Sequence, residues 1–158
     1  MKLRIQTLWK VPVFCIVASA VSYYLTIYLG GFFFAATTVG TDGITEISAD
    51  PIRSAIFSGF LFLAVLLLGG LWFLRSMTRK EIAISAAIIS VIYLTIVLAQ
   101  LLVEGFPLAV SMKLAIFQNW ITNFCSILLL FTDRLEFVVL LSCLAPFLFV
   151  PFGKKCKQ

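Results

Sequence analysis

Long apolar runs alternate with short polar or charged gaps along the whole chain. The first run extends from about Val11 to Phe32, the second from Arg53 to Leu74 and the third from Ile82 to Leu102. Each is about 20 residues, enough for a helix to cross a hydrocarbon core of about 30 Å. Two further runs, Leu108 to Phe131 and Phe137 to Phe152, flank the charged segment Thr132-Asp133-Arg134-Leu135-Glu136.

Punctuation between the runs is specific. Pro12 suits an early helical turn, where its missing N–H costs nothing. Residues 35–52 are polar and turn-rich, with Asp42-Gly43 as a turn signal, and read as a solvated acidic loop. Asp50 before Pro51 reads as the N-cap of the second run. Gly69-Gly70 near its end permits close helix approach. The link Arg75–Glu81 is short, so runs two and three form an antiparallel hairpin. Thr78 and Glu81 within it have capping-box spacing. In the third run Ala83 and Ala87, with Ala86 and Ser90, give small-xxx-small pairs, a packing face within the bundle or toward a second copy or another membrane protein.

Charge then sets an orientation. Lys2, Arg4 and Lys10 precede the first run, Arg75, Arg79 and Lys80 follow the second, and Lys154, Lys155 and Lys157 follow the last. Asp42, Glu46, Asp50, Glu104, Asp133 and Glu136 occupy the other gaps. Cytoplasmic loops retain Lys and Arg. Five crossings would put the basic tail outside; four put both termini in the cytoplasm. The expected fold is therefore an all-α integral membrane protein, a single domain over 1–158. Four transmembrane helices at about 11–32, 53–74, 82–102 and 137–152 form the bundle. Residues 108–131 form one interfacial or re-entrant helix, with Trp120 as its anchor and Ile116 and Ile127 facing lipid. The mirror arrangement, with 108–131 crossing and the Pro-containing tail re-entrant, stays open. The preferred version has a cost: 16 residues of α-helix from Phe137 to Phe152 span only about 24 Å, and Pro146 kinks them.

Composition agrees. Hydrophobic residues make up 62% and charged residues 12% of 158. The mean hydropathy is +1.12, a bilayer composition. The apolar run after the basic start is too long for the h-region of a cleavable signal peptide. The net charge of +5 sits beside apolar runs rather than in a basic stripe, so a nucleic-acid partner is not expected. The chain has no His and no CxxC among Cys15, Cys125, Cys143 and Cys156, which argues against structural zinc and a His-based triad. Cys156, between lysines, has a context that permits S-palmitoylation. Asp42, Glu46 and Asp50 lack EF-hand spacing. No cofactor is expected.

Two groups carry candidate chemistry. Ser111, Gln118, Asn119, Thr122, Asn123 and Ser126 fall mostly on one helical face. They read as an interfacial polar face or as the lining of a solute path. Asp133, Arg134 and Glu136 form the densest charged cluster between apolar runs. Thr132-Asp133-Arg134 resembles the Asp-Arg pair of lipoprotein signal peptidases. That family's glycine-rich approach, partnering Asn and second Asp are missing, so the chain is not assigned to it.

Three functions follow in order. The first is a small non-enzymatic accessory or interaction protein acting through helix–helix contacts. The second is a small transporter or channel subunit with a polar path near Asn119. The third is an intramembrane enzyme using Asp133 or Glu136.

Overall fold

The computed structural model describes residues 5–33, 35–39, 45–103 and 107–154. A short helix, α1 (Ile5–Leu8), leads into α2 (Lys10–Phe33). Strands β1 (Ala35–Val39) and β2 (Thr45–Ala49) follow, then α3 (Pro51–Leu68), which ends in a π-helical turn, Gly69–Phe73. Next come α4 (Arg79–Leu102), α5 (Leu108–Leu128), α6 (Leu135–Ser142) and a 3₁₀ helix, Ala145–Phe152.

Four helical segments are long and apolar enough to cross a membrane: Lys10–Phe33, Pro51–Phe73, Arg79–Leu102 and Leu135–Phe152. They match the four expected runs within about three residues at each end, and α5 is not among them.

One element departs from the all-α expectation. β1 and β2 pair antiparallel, Ala35 opposite Ala49 and Val39 opposite Thr45. Thr37, Thr38, Val39, Thr45 and Ile47 are β-branched, and such side chains suit extended backbone. The Asp42-Gly43 turn lies outside the described residues.

Local signals act where the sequence puts them. The Asp50 carboxylate accepts from the backbone N–H groups of Ile52 and Arg53 at 2.9 and 3.2 Å, with Pro51 in the first turn. Thr78 and Glu81 form a reciprocal capping box at the start of α4. At Gly69 an added Cβ would lie 2.4 Å from the Phe14 ring and 2.7 Å from that of Phe149. At Gly70 it would lie 2.4 Å from the Phe152 ring. Three phenylalanines therefore press directly onto the backbone of the π-helical turn.

The last segment resolves its own length problem. It starts at Leu135, two residues early. Pro146 and Pro151 remove N–H donors, and the chain continues as 3₁₀ helix instead of α-helix. With about 2.0 Å of rise per 3₁₀ residue, the 18 residues cover about 30 Å. Its end is fastened to the α3–α4 link. The Lys154 N–H donates to the Met77 carbonyl at 3.0 Å, and the Arg79 N–H donates to the Lys154 carbonyl at 3.2 Å. The Arg79 guanidinium also donates to the carbonyls of Gly153 and Pro151.

The core centres on Trp120. Its side chain is fully buried, stacked on Phe62 at 5.0 Å and on Phe149 at 5.3 Å between ring centroids. The indole N–H donates to the Phe62 carbonyl at 3.5 Å. This overturns the expectation of Trp120 as an interfacial anchor: its polar handle is satisfied inside the protein, so the whole ring is buried. The C-terminal half of α5 packs on α2 and α3, while Leu108, Val110, Met112 and Phe117 of its first half are exposed. Ile116 and Ile127, expected to face lipid, are both half-buried, and Ile127 packs against the core and Gly59.

Candidate functional site

Helices α4, α5 and α6 border an open cavity of about 350 Å³. Its polar lining converges from all three: Gln100 from α4, Gln118, Thr122 and Ser126 from α5, and Ser142 from α6. Val97, Leu135 and Val139 supply apolar walls. The α5 contributors stand four residues apart, which stacks them on one face.

Gln118 distinguishes the site. It is 7% exposed, and its Nε2 has no hydrogen-bond partner among the described residues. A buried amide nitrogen without a partner costs about 1–3 kcal/mol. The hydroxyls are less demanding. Thr122 donates to the Gln118 carbonyl and Ser126 to the Thr122 carbonyl, both at 3.1 Å. Ser142 donates to the Val139 carbonyl at 2.7 Å. Each hydroxyl oxygen keeps acceptor capacity toward the cavity.

The polar stripe thus divides. Gln118, Thr122 and Ser126 line the cavity, whereas Asn123 donates to the Asn119 side chain at 3.4 Å beside it. Asn123 is buried and Asn119 half-buried. Ser111 lies in the first half of α5, outside the lining. Asp133, Arg134 and Glu136 are exposed on either side of Leu135, which lines the cavity, and so flank its rim. Among the described residues no ion pair joins Asp133 and Arg134, whereas Arg53 pairs with Asp50.

Ser142 was not singled out in the sequence. It reads there as one small residue in an apolar run, and only the packing of α6 on α5 brings it into the same lining as Gln118. Gln100 stands in the sequence as a polar residue near the end of the third apolar run.

Among the described residues no three His, Cys, Asp or Glu side chains gather into a metal-binding group. Cys15, Cys125 and Cys143 are buried free thiols; Cys156 lies outside the described residues. Of the small-residue pairs on α4, Ala86 and Ser90 are buried within the chain, and Ala83 and Ala87 are half-buried. Comparison with protein-family models, curated proteins and solved structures found no match to this chain.

Proposed function

We propose that this chain is a four-span protein of the cell membrane, with both termini cytoplasmic, which binds a small uncharged polar solute as a subunit of a transporter or channel. The carrying observation is the unpartnered, buried Gln118 amide at a cavity lined by four other polar side chains. Amides at membrane depth face protein or water, not lipid. The lining offers donors and acceptors but no charge, which suits a neutral hydrogen-bonding solute.

The membrane setting has independent support. Tyr24 and Tyr28 are exposed toward one end of α2, and Trp9 and Trp72 at the basic end. Two aromatic belts follow this pattern. The 3₁₀ extension gives the last segment a length near the hydrocarbon thickness.

Cysteines at Thr122 and Ser126, in a background with the native cysteines replaced, test the reading. A membrane-impermeant maleimide is applied to intact cells and to inverted vesicles. Labelling from both sides supports a solute path; labelling from the outer side alone returns α5 to an interfacial role.

A second reading, the accessory protein, draws on an apolar groove of about 390 Å³ between α4 and the last segment. Ala87, Val91 and Leu94 face Leu140, Leu144 and Phe147 across it. A small residue at its floor favours close approach of a partner helix.

A further inference from the structure

A second groove, of about 560 Å³, lies between α2 and α3 at the end next to the β-hairpin. Leu25, Leu29 and Phe33 line it from one side in steps of four residues; Ile56 and Phe60 line it from the other. Phe33 and Phe57 stack at 5.3 Å and close its upper wall. Among the described residues its one charged lining group is Arg53, in the first turn of α3. From Arg53 the groove follows α3 to Leu61, about 12 Å along the helix axis.

We propose that this groove seats one acyl chain of an anionic phospholipid, with the lipid phosphate at Arg53. The lining selects hydrocarbon, and a cation at one end selects the head. Arg53 is paired with Asp50, but through Nε at 3.4 Å. A guanidinium carries five N–H donors in a fork suited to phosphate, so one such contact leaves donors for a second anion. The other oxygen of Asp50 is engaged in capping α3, which limits how far it follows the guanidinium. Topology adds a reason. In the four-span arrangement Arg53 stands on the outer side, against the usual distribution of basic residues, and a lipid phosphate gives it an anionic partner there. The inference rests on the membrane setting proposed above and not on the polar cavity. Fractionation of cell membranes tests that setting separately.

Native mass spectrometry on the full chain, released from nanodiscs of equimolar phosphatidylglycerol and phosphatidylcholine, reads the site directly. The wild type is expected to keep one phosphatidylglycerol in preference. Arg53→Gln lowers that preference about tenfold, the scale of a hydrogen bond to a charged group. Arg53→Lys retains much of it, and Leu29→Trp, which fills the groove, loses bound lipid of both kinds. Equal retention of the two lipids by the wild type overturns the proposal. So does a preference unchanged in Arg53→Gln, or a dimer that occupies the groove without lipid.

Discussion

The backbone N–H of Trp120 lies 3.3 Å from the hydroxyl oxygen of Ser19, so α5 meets α2 across a side chain no larger than serine. Ser19 is fully buried. Leucine at this position forces the helices apart, and Ser19→Leu is expected to destabilise by about 1–3 kcal/mol. Ser19→Ala loses one hydrogen bond, about 1 kcal/mol. Denaturation in mixed micelles measures both; equal effects would refute the close approach.

Trp120→Ala removes the ring between Phe62 and Phe149. A loss of about 3–5 kcal/mol is expected from the cavity left behind. An exposed interfacial tryptophan would cost far less, so the same denaturation assay separates the core position from the anchor position.

Gly70 and Phe152 form a pair suited to a double-mutant cycle. Gly70→Ala places a methyl group against the Phe152 ring and destabilises by about 1–3 kcal/mol. With Phe152→Ala already present, the same change costs little. Strict additivity of the two would show that the ring does not rest on the glycine.

At the cavity, Gln118→Leu removes an amide whose nitrogen lacks a partner among the described residues. Stability is expected to rise by about 1 kcal/mol, while solute binding is lost. Gln118→Glu gives a pH signature. Burial raises the folded-state pKa of the new carboxyl above its unfolded value of about 4.3. The protonated form is favoured in the fold, so the variant is near normal below about pH 4 and loses stability as pH rises. A flat pH profile would place residue 118 in open water.

Much of this architecture is legible in the residues because the signals are local. Asp50-Pro51 caps α3, and Thr78 and Glu81 cap α4, through neighbours within three residues. The apolar runs mark the long helices directly. Other features depend on partners distant in sequence. Nothing beside Trp120 shows that Phe62 and Phe149 will sandwich it. Ser142 becomes part of a polar lining only when α6 lies on α5. The hairpin was masked for a different reason: its polar residues read as loop, and their β-branched character gained weight only with antiparallel pairing.

The clamp joining Met77, Arg79, Gly153 and Lys154 bears on the order of assembly. Its partners are separated by more than 70 residues, so the α3–α4 link emerges from the ribosome long before the backbone that completes it. Until then the buried faces of Leu74, Met77 and Ile82 lack the 3₁₀ segment that covers them. Helices α2 to α5 are already synthesised by then, but this end of the bundle closes last, when Lys154 arrives. A chain halted before Pro151 would carry its helices and still present an open seam, a handle by which quality-control proteases could tell an unfinished copy from a finished one.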